Sequence, residues 1–295
     1  MNKIYLSSFK LNYLKSINKI YKYCLINGIK GIEFSGGCYQ KNLYFKLKKL
    51  KRVNFLFHNY FPVPKKSFVL NLASNNKLIE EKSLDHILKS INLSKKFNLK
   101  YFSFHAGYLY DPYKKFLGKK MKIIKLMDRN SALERFVKNL TKICKYANKC
   151  GVFPLIENNN IDEYELKTFG KSTVLMADID ETIQIMKNLN NQVGILVDVG
   201  HLNVASRSLK FSKIQYLKEC KKWIFAYHFS NNDGISDQNK LIEENSWFWP
   251  YIKKNLEYYS LEVNNINTKG IINNLDLIKR KILKVEKKNC TYNRS

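Results

Sequence analysis

The sequence predicts a closed (β/α)8 TIM barrel forming one domain over residues 1–286, followed by a basic, flexible C-terminal tail over 287–295. Three observations predict it. Short apolar runs alternate with longer amphipathic ones through eight repeats, and no Gly/Ser-rich linker separates any of them. No Gly-rich phosphate loop follows the first apolar run, where an open doubly wound sheet would usually carry one. The 295 residues are 45% hydrophobic, enough to bury a sizeable core, and barrels of this length are routinely a single unit.

Taken in order, Ile4–Phe9 reads as the first strand, and Tyr13–Ile26 as a helix that Gly28 stops just past its end. Lys30–Phe34 is the second strand, followed by a helix over 42–52. Asn54–His58 is the third, with a helix over 79–97 after a loop containing Pro62 and Pro64. Tyr101–His105 is the fourth, and its helix runs from Ser131 to Lys149, where Ser131 and Glu134 suit a capping box. Val152–Glu157 and Val193–Asp198 are the fifth and sixth, with helices over 178–190 and within 204–221. Trp223–His228 is the seventh, with a weaker helix near 247–255. Tyr259–Glu262 is the eighth, closed by a helix over 270–286.

The three longest loops, near 59–78, 106–130 and 158–177, follow strands three, four and five. All fall on the C-terminal face, where barrel enzymes build their sites. Tyr60, Phe61, Tyr108, Tyr110, Tyr113 and Phe116 in the first two would either wall a pocket as a lid or pack the loops onto the rim.

The net charge of +28 is spread along the chain rather than gathered on one face. Asn, Ile, Tyr and Phe are abundant beside Lys, so A/T-rich codon usage accounts for the surplus without a nucleic-acid partner. Cys24, Cys38, Cys144, Cys150, Cys220 and Cys290 form no C-x-x-C pair and read as reduced thiols. Lys and Ser interrupt the apolar runs of MNKIYLSSFKLNYLKSINK, and no stretch reaches membrane-spanning length. A soluble, cytoplasmic protein without a membrane partner is therefore expected.

What terminates each strand is the informative pattern. Strand three ends in His58, four in His105, five in Glu157, six in Asp198 followed by His201, seven in His228 and eight in Glu262. Four of the five histidines sit at these positions; the fifth, His86, lies inside a helix and reads as structural or solvent-facing. A closed barrel gathers all these ends on one rim, where uncompensated carboxylates repel and a divalent cation relieves them. Glu157, Asp198, His228 and Glu262 form a mixed N/O set suited to one divalent ion, Mn²⁺, Co²⁺, Mg²⁺ or Zn²⁺. Glu33 ends strand two, where it either reaches the pocket or, as the preferred reading, makes a rim hydrogen bond to the Ser35–Gly36–Gly37 turn. The run Ser230–Asn231–Asn232–Asp233 suits substrate recognition or an Asx turn.

The ordered set E…D-x-x-H…H…E over strands five to eight resembles the xylose isomerase-like barrel superfamily, which includes sugar isomerases, ketose 3-epimerases, inosose dehydratases and endonuclease IV-type apurinic endonucleases. The resemblance covers residues 3–285. It implies a sugar or sugar phosphate isomerase or epimerase, with Glu157, Asp198, His228 and Glu262 as metal ligands. The metal would hold the substrate carbonyl and neighbouring hydroxyl and stabilise an enediolate, while Glu157 and Glu262 act as acid and base on opposite faces. His201 would hold a substrate hydroxyl, with His58, His105 and Asp237 as further substrate contacts. Relatives are often dimers or tetramers, so a homodimer is expected. The endonuclease branch implies a zinc-dependent alternative acting on abasic DNA, with a second and third ion held by a larger set that adds His58, His105, His201 and Asp237. Its D-x-H pair reads Asp237–Gln238–Asn239 here, replacing the imidazole with an amide, a poor zinc ligand. Dehydration of a polyol is a further alternative with the same metal logic.

Overall fold

A computed structural model describes residues 3–112, 125–264 and 267–283. Eight parallel strands close into a barrel in chain order, with the eighth pairing back to the first. They are β1 Ile4–Ser7, β2 Gly31–Ser35, β3 Asn54–His58, β4 Tyr101–His105, β5 Phe153–Glu157, β6 Gly194–Asp198, β7 Ile224–Phe229 and β8 Tyr258–Leu261. The helices are α1 Ile17–Ile26, α2 Leu43–Lys48, α3 Lys77–Lys96, α4 Arg129–Cys150, α5 Glu163–Phe169, α6 Ile179–Asn188, α7 Val199–Ser208, α8 Lys213–Glu219 and α9 Thr268–Leu283.

Side chains alternate between the two faces of a strand, so one set fills the barrel and the other meets the helices. The lower interior is an apolar plug made by Tyr5, Leu56, Tyr101, Leu155, Leu196, Ala226 and Tyr258. Two residues further along the same strands come Ser7, His58, Ser103, Glu157, Asp198, His228 and Ser260, all buried and all polar. The barrel is thus mainly apolar below, with the buried Glu33 in register with Leu56, and polar above, at the strands' C-terminal ends. The outward set, including Ile32, Phe34, Phe57, Phe102, Phe104, Ile156, Ile195 and Tyr227, joins the helices in the main core.

Several boundaries differ from the sequence expectation. β1 stops at Ser7, and Phe9–Leu14 turns into a 3-10 helix, which delays α1 to Ile17. The α4 capping box does not form: Asp128 is the N-cap, its carboxylate accepting from the Ser131 amide at 2.9 Å, so the helix begins before Ser131. The stretch expected within 204–221 divides into α7 and α8, and α7 starts directly after Asp198 because that side chain caps it. Residues 247–255 form turns rather than a helix; Trp249 Nε1 instead donates to the Glu243 carbonyl at 2.8 Å. The loop after β5 carries the short helix α5.

Asparagines lace the long loops together. Asn71 Nδ2 donates to the Tyr108 and Tyr110 carbonyls and to Asp111, while its Oδ1 accepts from the Ala73 and Tyr108 amides. Asn159 Nδ2 donates to the Leu175 carbonyl at 2.9 Å and reaches the Gly107 carbonyl at 3.5 Å. Phe61 and Tyr110 are buried, so within the described residues these loop aromatics pack against the barrel. Tyr113, Phe116, Cys290 and the 287–295 tail lie outside the described residues. Cys24, Cys38, Cys144, Cys150 and Cys220 are free thiols. No helix among the described residues is long and apolar enough to cross a membrane.

Candidate metal centre and active site

The ladders set the geometry. His58 pairs in register with Ser103, His105 with Glu157, and Asp198 with His228, which in turn pairs with Ser260. Glu262 follows β8 immediately, its amide bound to the Phe229 carbonyl at 3.0 Å. Ligand-capable atoms of Glu157, Asp198, His228 and Glu262 all lie within 4.8 Å of one another.

Glu157 is the centre. One oxygen, Oε2, lies 3.2 Å from His58 Nε2 and 3.4 Å from His105 Nδ1. The other, Oε1, lies 3.3 Å from His228 Nδ1 and 3.5 Å from His201 Nδ1. None of these approaches has hydrogen-bond alignment, and both oxygens are buried without a partner. Asp198 Oδ2 and His228 Nδ1 are likewise buried and unpartnered. Two carboxylates about 4 Å apart repel by about 4 kcal/mol at an effective dielectric near 20, which no apolar neighbour can offset. A divalent cation fits this set: the orphaned atoms are carboxylate oxygens and an imidazole nitrogen, aimed at one point and shielded from water.

The electrostatics follow from that crowding. Burial pushes the Glu157 carboxyl up, but His105, His228 and His58 together outweigh it and hold the group well below the ordinary range. Burial also raises Asp198, and with Glu157 and Asp237 adding repulsion against His201's attraction, it reaches about 7. Glu262 is pulled down to about 2, its burial outweighed mainly by His228. Burial lowers His228, yet Glu33, Glu262 and Glu157 overcome it and hold the ring well above 6.5.

The surrounding residues are held by the backbone. Asp198 Oδ1 accepts from the His201 amide at 2.7 Å, which leaves Oδ2 free. His201 donates Nδ1 to the Asn158 carbonyl at 2.9 Å and turns Nε2 toward Asp237, 3.3 Å away. Asn239 Nδ2 donates to the same Asp237 carboxylate at 3.1 Å. The strand-end residues and Asp237 singled out in the sequence therefore all meet in one place.

Two further residues contribute: Glu33, for which the rim is the preferred reading of the sequence, and Asn158, which the sequence does not single out. Glu33 is fully buried and does not bond to the Ser35 turn; Asn12 Nδ2 takes the Ser35 carbonyl instead, at 3.0 Å. Glu33 Oε2 accepts from His228 Nε2 at 2.9 Å and from the Tyr258 hydroxyl. Strand alternation is the signal that could have found it: in GIEFS, Ile32 and Phe34 face the helices, so Glu33 between them must enter the barrel. Asn158, beside Glu157 in sequence, accepts from the Asp198 amide at 2.8 Å and donates to the Asp198 carbonyl at 3.2 Å. The Asx reading of 230–233 is the observed one: Asn232 Oδ1 accepts from Gly234 and Asp233 Oδ1 from Ile235.

The xylose isomerase-like TIM barrel family matches residues 27–283. The chain belongs to that family. No curated protein matches it. Among solved structures, a D-tagatose 3-epimerase-like protein superposes with a TM-score of 0.68 at 18% identity, covering 95% of this chain and 97% of its own. D-psicose 3-epimerase from Clostridium cellulolyticum H10, solved with D-tagatose, gives 0.63 at 15% identity, covering 96% and 100%. A Thermus thermophilus protein, from crystals soaked with ZnCl2, gives 0.59 at 16%, covering 95% and 99%. At these identities the likeness carries the fold, and the chemistry rests on this chain's own residues.

Proposed function

We propose that the protein is a metal-dependent isomerase or epimerase of a sugar or sugar phosphate, and that Glu157, Asp198, His228 and Glu262 hold its one divalent cation. The observation that carries the reading is the convergence of those four donors within 4.8 Å, with buried, partnerless atoms on three of them. A cation bound there supplies Lewis acidity, polarising a substrate carbonyl so that the adjacent C–H becomes acidic. Glu262 keeps some exposure, and Ser7 Oγ donates to its Oε1 at 2.9 Å, which would fix the carboxylate for proton transfer. Glu157 and Glu262 serve as the acid–base pair, one taking the proton from carbon and the other returning one to the opposite face. His58, His105, His201 and Asp237 stand beside the same donor cluster and would hold substrate hydroxyls. The relatives named as tagatose and psicose epimerases support a ketose as substrate.

A second reading has its own observation. His58, His105 and Glu157 also form a three-donor group within 4.8 Å, and His201 with Asp237 stands beside it. Two or more zinc ions there would suit phosphodiester cleavage at abasic DNA, although the amide of Asn239 meets Asp237 where that chemistry would want an imidazole. Metal analysis combined with solvent proton exchange into ketoses, aldoses and their phosphates separates the two. One ion per chain with exchange into a sugar is the expected result. Two or three zinc ions with nicking of abasic duplex and no exchange would replace it with the nuclease.

A further inference from the structure

Beneath the donor cluster runs an unbroken line of hydrogen bonds across the barrel. His58 Nδ1 lies 2.9 Å from Ser103 Oγ, and Ser103 Oγ lies 3.0 Å from the Tyr258 hydroxyl. Tyr258 donates to Glu33 Oε2, the same oxygen that accepts from His228 Nε2 at 2.9 Å. All five side chains are buried, so water does not complete the pattern.

Counting protons gives this line a direction. Tyr258 has one hydroxyl proton, and it is committed to a carboxylate oxygen, which only accepts. Tyr258 can therefore only accept from Ser103. Ser103 in turn has spent its one proton on Tyr258, so it must accept from His58, which places a proton on His58 Nδ1. The opposite nitrogen, Nε2, is then the one that faces Glu157 Oε2, at 3.2 Å. At the other end, Glu33 takes the proton of His228 Nε2 and turns Nδ1 toward Glu157 and Glu262.

We infer that Glu33 and Tyr258 are positioning residues: Tyr258, through Ser103, fixes the ring of His58, and Glu33 fixes that of the proposed ligand His228, so that His58 Nε2 and His228 Nδ1 face Glu157 from two sides. Both are fully buried. Their effect is to commit two imidazoles, on β3 and β7, to one orientation before any cation arrives. A carboxylate that orients a ligand histidine typically changes metal affinity 10–100-fold when lost. The inference rests on the metal reading of the site, but its first readout does not need metal.

The test uses the metal-free full chain labelled with 15N-histidine, a two-bond proton–nitrogen correlation spectrum, and Zn²⁺ affinity by competition with a fluorescent chelator. In the wild type, His58 should show a protonated Nδ1. Tyr258→Phe and Ser103→Ala, both close in shape to the originals, should lose that pattern while the fold, followed by circular dichroism, persists. Glu33→Gln should weaken Zn²⁺ binding on the order of tenfold or more. A wild-type His58 without a proton on Nδ1, or a His58 pattern unmoved in both Tyr258→Phe and Ser103→Ala, would overturn the inference. If the wild type bound no Zn²⁺ at all, the metal reading would fail, and the His58 pattern would still decide the relay.

Discussion

Asn158 grips Asp198 by both backbone groups: its Oδ1 accepts from the Asp198 amide at 2.8 Å, and its Nδ2 donates to the Asp198 carbonyl at 3.2 Å. The strand end bearing one proposed ligand is thereby locked to the residue following another, Glu157. Asn158→Ala would take from the buried Asp198 amide the side-chain oxygen it donates to. At about 1–3 kcal/mol for such a group, roughly 1–3 kcal/mol of stability should disappear. Urea unfolding measures it, and a loss below about 0.5 kcal/mol would show that water replaces the amide.

Glu157→Gln keeps the volume of a fully buried side chain while removing the charge that faces four histidines. Turnover on the sugar found by the exchange screen should fall by about 10²–10⁴, the usual worth of a positioned acid or base. A variant with wild-type turnover would remove Glu157 from the proton-transfer step.

Metal uptake should stabilise the fold. A ligand present at 100 times its Kd adds about 2.7 kcal/mol, which for a chain of this size raises Tm by roughly 4–5 °C. Burial lowers His228, but its carboxylate neighbours overcome that and keep it well above 6.5, so the metal-free ring carries a proton on Nδ1. The cation must displace that proton, so affinity rises with pH and falls as pH drops. Thermal shifts with and without chelator, repeated across pH, check both signs; a pH-independent affinity contradicts the displacement.

His86 sits on α3 with Nε2 3.2 Å from the Asn59 carbonyl and its ring stacked on Tyr60 at 5.1 Å. Burial holds it neutral, down to about 4 from 6.5. The unfolded chain binds the proton more readily, so stability from this group is complete above 6.5 and lost as pH falls toward 4. The loss is about 3 kcal/mol, at about 1.36 kcal/mol per unit. His86→Gln should flatten the decline in unfolding free energy over that window, and an unchanged slope would assign the acid sensitivity elsewhere.

Gly107 leaves no room for a side chain: a Cβ there would sit 2.6 Å from Ala73 Cβ, a methyl that cannot swing aside. Gly107→Ala should cost about 1–3 kcal/mol, the usual range for forcing carbon into packed space, as read by a lowered Tm. An unchanged Tm would mean the two loops slide apart freely.

Eight strand positions and the strand-end donors are legible because each strand is a short apolar run stopped by a polar residue, and chain order alone puts those stops on one rim. What the sequence hides depends on neighbours distant along the chain. Glu33 resembles a turn partner because its bonding partners, His228 and Tyr258, come from the other end of the chain. Phe9 resembles strand because its apolar character is shared by the 3-10 turn that follows. Residues 247–255 carry helix-compatible apolar spacing, yet Trp249 finds the Glu243 carbonyl and the segment stays in turns. Asp198 reads as a ligand, but its second task, capping α7, sets where that helix begins.

Asn71 ties the loop after β3 to the loop after β4, and Asn159 ties the loop after β4 to the one after β5. Those two side chains make the pocket wall a single mechanical unit. Transplanting one loop from a related barrel into this one would strand buried carbonyls on its neighbours, so any retuning of substrate preference by grafting has to move the three segments as a block.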